Sequence, residues 1–118
     1  MLISGSLELI RRLKLNKKLE VHRGCVNSVQ WNDSGGFLLS GSDDQNLVIT
    51  HGHNYKVLWK YKTTHKANIF CAKFLPNSND CNIISCSGDG MVLHTGSVLS
   101  TNFVNLAFKA IIPIFKLF

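Results

Sequence analysis

The sequence predicts an all-β chain of two tandem four-stranded units, and three observations predict it. Phe37-Leu38-Leu39-Ser40-Gly41-Ser42-Asp43-Asp44-Gln45-Asn46-Leu47-Val48-Ile49-Thr50 reads as a short apolar strand, a tight acidic turn and a second apolar strand. A second copy follows as Ile83-Ile84-Ser85-Cys86-Ser87-Gly88-Asp89-Gly90-Met91-Val92-Leu93-His94-Thr95. The copies keep step over a long span. Ser40 to Ser85 and Asp44 to Asp89 are each 45 positions, while His22, Val26 and Trp31 recur 43 positions on as His65, Ile69 and Phe74. The two additional residues fall in the Asn77–Asn82 loop. A period in the low forties with four short strands per unit is the signature of a β-propeller blade.

Residues 1–16 read as a basic, partly helical segment, because Leu7, Ile10 and Leu15 lie at incomplete helical spacing among Arg11, Arg12 and Lys14. Lys17 to Val21 fits the outer strand of a preceding unit, so the repeats are taken to span 17–97. The first unit, about 22–62, supplies strands near Val26–Trp31, Phe37–Gly41, Leu47–Thr50 and Lys56–Tyr61. The second, about 65–97, supplies Ile69–Phe74, Ile83–Cys86 and Met91–Thr95, with no recognisable fourth strand. Asn32-Asp33-Ser34-Gly35-Gly36, Asp44-Gln45-Asn46 and Gly88-Asp89-Gly90 mark the turns. Residues 98–118 form an apolar tail. Its Phe103, Leu106, Ala107, Ala110, Ile111 and Ile114 follow an i, i+3, i+4, i+7 stripe that predicts a helix ended or kinked by Pro113. Interrupted by Lys109 and Lys116, that stretch is short of the roughly 20 residues needed to cross a bilayer.

A His, a strand of the form Val-x-x-Val-x-Trp, a turn, then Leu-Leu-Ser-Gly-Ser-Asp-Asp resembles the WD40 repeat. More narrowly, Val21-His22-Arg23-Gly24-Cys25-Val26-Asn27 with Trp31-Asn32-Asp33-Ser34-Gly35 resembles the branch of cullin-4-associated substrate receptors, or nuclear-receptor-interacting WD-repeat proteins. So does His65-Lys66-Ala67-Asn68-Ile69-Phe70-Cys71-Ala72-Lys73-Phe74-Leu75-Pro76. The likeness runs from about Leu9 to Thr95. It implies a partial WD40 propeller of two blades, a fragment of a ring that usually has four to eight. Unclosed blades leave strand edges open, a route to self-association. The resemblance implies a non-catalytic interaction scaffold: a substrate receptor of a cullin-4 RING ubiquitin ligase, with the ligase adaptor and substrates as protein partners, or else a nuclear-receptor co-regulator scaffold.

The resemblance also assigns roles to residues. His22, Ser40 and Asp44, with His65, Ser85 and Asp89 as the second copy, would form buried hydrogen-bond chains that fix strand register. Taken out of context the same residue types suggest a hydrolase triad. No Gly-x-Ser-x-Gly elbow accompanies either Ser, so the expectation is no enzyme. The Trp-Asp dipeptide that usually ends the third strand is replaced by Thr50-His51 and Thr95-Gly96, and a Thr hydroxyl is short for closing the chain. Adaptor docking through Trp-Asp-x-Arg is also missing, since Thr50-His51-Gly52-His53 and Thr95-Gly96-Ser97-Val98 lack the Arg. That leaves Arg11, Arg12, Lys14, Lys17 and Lys18 as the candidate partner-binding residues.

Thirteen Lys and Arg against seven carboxylates give a net charge of +6, which draws acidic partners without specifying a fold. The basic run permits a small nucleic-acid or membrane-surface binder as an alternative. With no stacking platform or recognition helix, no specific nucleic acid and no membrane partner is expected. Cys25, Cys71, Cys81 and Cys86 lack a Cys-x-x-Cys pair and read as reduced, mostly buried thiols, with no zinc site. His51, His53 and Asn54 read as loop residues for want of a third ligand, so no metal or cofactor is expected. Met1-Leu2-Ile3-Ser4-Gly5-Ser6 carries no charged region before an apolar core, which predicts a nuclear or cytoplasmic, non-secreted chain.

Overall fold

In a computed structural model of the chain, residues 7–96 are described, together with the backbone of 104–109. Two antiparallel sheets account for the order. The first holds β1 (Val26–Trp31), β2 (Phe37–Ser42), β3 (Asn46–His51) and β4 (Val57–Lys62), in that spatial sequence. The second holds β5 (Ile69–Phe74), β6 (Ile83–Ser87), β7 (Met91–Gly96) and β8 (Val104–Lys109), again in sequence order. Each sheet is a meander whose successive side chains alternate between faces. The β2–β3 turn closes with Gln45 N–H donating to Ser42 O at 3.1 Å, and the β6–β7 turn with Gly90 N–H donating to Ser87 O at 3.2 Å. Gln45 has a φ of 67° and Gly90, its counterpart one repeat on, 78°. Only Gly takes that left-handed region without steric cost, so the first turn carries local strain that the second avoids.

The core lies between the sheets. Leu39, Leu47 and Ile49 of the first sheet meet Ile69, Ala72, Phe74 and Ile83 of the second, with Phe37 and Trp59 packed alongside. Contact is so close at Gly41 that a Cβ there would sit 2.8 Å from Ile69 Cγ2. Polar side chains complete the joint. Asn27 Nδ2 donates to Ile69 O (2.9 Å), the Ser28 hydroxyl accepts from Ala72 N (3.0 Å) and donates to Ala72 O (3.2 Å), and Gln30 Oε1 accepts from Phe74 N (2.8 Å). These are backbone groups on the open edge of β5, so three side chains of β1 cap an edge that would otherwise bare its amides. The same register shift, between Val26 and Ser28 and between Ile69 and Cys71, marks a bulge in both innermost strands.

Three expectations need correction. Lys17–Val21 is not a strand, because no preceding sheet among the described residues offers it an edge. The N-terminal helix covers only Leu7–Arg11, a short exposed segment in which no residue is buried and which has no packing to extend it. The helix expected within Phe103–Phe118 is replaced, over Val104–Lys109, by a strand paired with β7 from Met91↔Lys109 to Gly96↔Val104. Val-Asn-Leu-Ala-Phe-Lys also alternates with period two, and the amides on the open side of β7 favour that reading. The rest of the predicted tail helix lies outside the described residues.

The repeat provides its own control for the core. Phe74 is 9% exposed, whereas Trp31, at the equivalent place in the first sheet, is 53% exposed. Phe74→Ala is therefore expected to cost roughly 3–4 kcal/mol and Trp31→Ala no more than ~1 kcal/mol, measured by denaturant titration. Equal losses would contradict a core confined to the joint.

Candidate functional site

His22 precedes β1, Ser40 lies on β2 and Asp44 in the β2–β3 turn, and the fold brings the three together. His22 Nδ1 lies 3.2 and 3.1 Å from the two Asp44 carboxylate oxygens, and Nε2 lies 2.7 Å from Ser40 Oγ. In the second sheet His65 Nδ1 is 3.3 Å from both Asp89 oxygens, and Nε2 is 3.0 Å from Ser85 Oγ. A carboxylate can only accept, which makes Nδ1 the protonated nitrogen and leaves Nε2 to accept from the Ser hydroxyl. Each carboxylate also takes backbone donors: Arg23 N and Asn46 N for Asp44, Lys66 N and Met91 N for Asp89. Burial raises the Asp44 pKa, but the Arg23 and Asn46 amides and the His22 ring outweigh it and hold the group at about 2. Asp89 is lowered by the same kind of balance. Burial dominates at His65 and pushes its pKa below the usual value, against the pull of Asp89.

These atoms have the same mutual roles as a hydrolytic Ser–His–Asp set. Access separates the two cases. The His side chains are 1% and 0% exposed, and Ser85 is sealed beneath the first sheet. A cavity of about 110 Å³ reaches His22 and Ser40, but its other walls are mainly Leu19, Val21, Val26, Val29 and Leu38, without a charged group. In the second sheet the hydroxyl of Thr95 is buried with no hydrogen-bond partner, so the chain stops at Ser85, as a side chain shorter than Trp dictates.

The five basic residues, all exposed, have different surroundings. Arg12 pairs with Glu8 at 3.3 Å and Lys18 with Glu20 at 3.2 Å, all with exposed side chains, while Arg11 sits on the helix. Lys14 and Lys17 lie farther on, lining a cleft over the first sheet with Trp31 and Leu38. His53 N–H donates to His51 Nδ1 (3.3 Å), and among the described residues no group of three or more potential ligands could hold a metal ion. All four cysteines are free, but only Cys86 is buried and Cys25 is exposed, correcting the expectation of mostly buried thiols. Sequence reasoning passed over Asn27, Ser28 and Gln30. The signal was a run of amide and hydroxyl side chains on a strand that otherwise alternates with Val and Trp.

Comparison with known proteins agrees with this architecture. The family model described as "WD domain, G-beta repeat" matches residues 13–51 and 51–94. The human protein "DDB1- and CUL4-associated factor 6" is 55% identical over 91 residues, covering 77% of this chain and 11% of its own length. The Arabidopsis thaliana protein "ALTERED SEED GERMINATION 2" is 45% identical over 84 residues, covering 71% of the chain and 11% of itself. The chain thus spans about a tenth of the length of the curated relatives it matches. Among solved structures, the β-propeller domain of Myceliophteria thermophila Cps50 (Swd1) aligns with a TM-score of 0.65 at 17% identity, over 80% of this chain and 28% of that one.

Two effects of acid follow from the relays. His65 has a folded pKa below 6.5, so its contribution is present above pH 6.5 and declines as the pH falls. Asp44 has a folded pKa of about 2 against 3.8 unfolded, so its contribution is present above pH 3.8 and is lost between there and 2. Denaturant midpoints are expected to fall on acidification through both windows, with Asp44→Asn flattening the lower one. Thr95→Val, which removes the unpartnered hydroxyl, is expected to be neutral or to stabilise by up to ~1 kcal/mol in the same titration.

Proposed function

Because the chain belongs to the WD40 family of G-beta repeats, we propose that it is a non-catalytic protein-interaction scaffold and, more specifically, a portion of a substrate receptor of a cullin-4 RING ubiquitin ligase. The observation that carries the finer reading is its 55% identity with a protein named for association with DDB1 and CUL4. The scaffold role is supported by the relays. They join a loop, a strand and a turn in each blade, in the same order and with the same partners, where one of the two hydroxyls has no route to a substrate. A buried network whose members satisfy one another in this way fixes geometry. Its work is to hold strand register, and the blades in turn present loops and the N-terminal segment to partners. Such a scaffold would act in the nucleus or cytoplasm.

Adaptor docking must then bypass the third strands, since His51-Gly52-His53 supplies no Arg after Thr50. The exposed cations of residues 11–18 are the remaining candidates. Affinity capture from cell lysate, with and without residues 1–20, tests this. The cullin-4 adaptor is expected with the intact chain and lost with the segment. Failure of the intact chain to recover it would remove the ligase assignment while leaving the scaffold reading in place. A fluorophosphonate probe is expected to leave Ser40 and Ser85 unlabelled; labelling of Ser40 would make the first relay catalytic.

A further inference from the structure

The loops joining β1 to β2 and β5 to β6 meet at one end of the two sheets, and a groove runs between them. Asp33 and Ser34 of the first loop face Leu75, Asn77, Asn79 and Asp80 of the second across about 270 Å³. A cavity of about 200 Å³ shares Asp33, Leu75 and Asp80 and continues past Pro76 to Phe74. Both walls are loops at strand ends of the two units described, so units stacking on sheet faces leave the groove as it is. The outer face of the first sheet lies elsewhere, crossed by residues 14–21 as a strap that Lys60 Nζ ties through Val21 O. The groove is shaped before anything enters it. Asn32, 6% exposed, donates from Nδ2 to Asp80 Oδ2 (2.8 Å) and Ser34 Oγ (3.0 Å), so one buried amide joins the loops. Asn77, Asn79 and Asp80 hold φ values of 57°, 52° and 60°, a region Asn and Asp enter more readily than most residues. Ser78 Oγ donating to Leu75 O (2.7 Å) braces that path.

The charge of the groove runs against that of the molecule. No Lys or Arg lines either cavity, in a chain of net charge +6. Six of the seven carboxylates are engaged: Glu8 and Glu20 by Arg12 and Lys18, Asp43 by Asn27, Asp44 and Asp89 by the histidines, Asp80 by Asn32. Asp33, exposed at the lip, has no hydrogen-bond or ion-pair partner among the described residues. We propose that this groove binds an arginine side chain of a partner protein, presented on an extended segment. The guanidinium lies between the Asp33 and Asp80 carboxylates, and its methylene stem runs along Leu75 and Pro76. Asn32 takes only one Asp80 oxygen, which leaves the other to accept. Arg is favoured over Lys because its planar fork offers five donors to acceptors on two sides, where an ammonium is a point charge. The same carboxylates repel a phosphate backbone. Two carboxylates without His or Cys fall short of a metal-ligand set. The inference stands whether or not the chain joins a ligase.

Fluorescence anisotropy on the full chain tests it, using a fluorescein-labelled peptide with a single Arg among small apolar residues. Expected are saturable binding, at least ~fivefold weaker in Asp33→Asn and at least ~tenfold weaker in Asp33→Lys. Asp33 makes no bond in the fold, so both variants are expected to keep the denaturant midpoint of the parent chain. Glu8→Gln, outside the groove, is expected to leave affinity within ~twofold. Replacing the peptide Arg by Lys is expected to weaken binding at least ~threefold, and replacing it by Gln to abolish it. The proposal is overturned if no binding occurs, if the Lys or Gln peptide binds equally well, or if Asp33→Lys leaves affinity unchanged. It is overturned too if stoichiometric Ca²⁺ displaces the peptide, or if sedimentation shows a dimer that Asp33→Lys dissociates, which would assign the groove to a second copy.

Discussion

A four-stranded antiparallel sheet must bury at least one apolar face, and in this chain each sheet covers one face of the other. That constraint governs the molecule. Leu39, Leu47 and Ile49 are buried because Ile69, Ala72, Phe74 and Ile83 lie across from them, and the reverse holds equally. The geometry leaves no room for a side chain at Gly41, whose Cβ would press on Ile69 of the facing sheet. Apolar packing alone would still leave the amides of β5 bare. Asn27, Ser28 and Gln30 cover them, so the joint is sealed by area in its middle and by hydrogen bonds along its edge.

Within each sheet the relay ties together three places that the ladder does not connect: the segment entering β1 or β5, the second strand, and the turn after it. The pair of relays is instructive because the same atoms sit in two environments. Around His65 the neighbouring sheet shuts out water, and burial lowers the imidazole pKa. Around His22 the covering is a strap with a gap beneath it. Identical bonding in both argues that the arrangement belongs to the repeat and does not depend on what lies over it.

Much of this was legible in the sequence, for a physical reason. Polar residues that must meet inside a fold are held to a fixed order on fixed elements, so His22, Ser40 and Asp44 announce themselves by recurring as His65, Ser85 and Asp89, with only a loop insertion of two residues between His65 and Ser85. Features that depend on a neighbour were harder to read. Val104-Asn105-Leu106-Ala107-Phe108-Lys109 satisfies both a helical and an alternating pattern, and the open amides of β7 favour the strand. Lys17–Val21 has strand composition but no edge to join. The capping trio on β1 needs knowledge of which side of the strand faces the next sheet, and that emerges only once the two units are placed together.

The capping trio also gives the chain a direction. The first strand of the first unit serves the unit that comes after it, so cohesion is handed forward along the chain. On the ribosome the first sheet emerges while its cover, Ile69–Phe74, is still being made, and for that interval its aliphatic row faces the solvent. Translation speed between His51 and Ile69 then sets how long the nascent polypeptide is open to chaperones and to wrong partners.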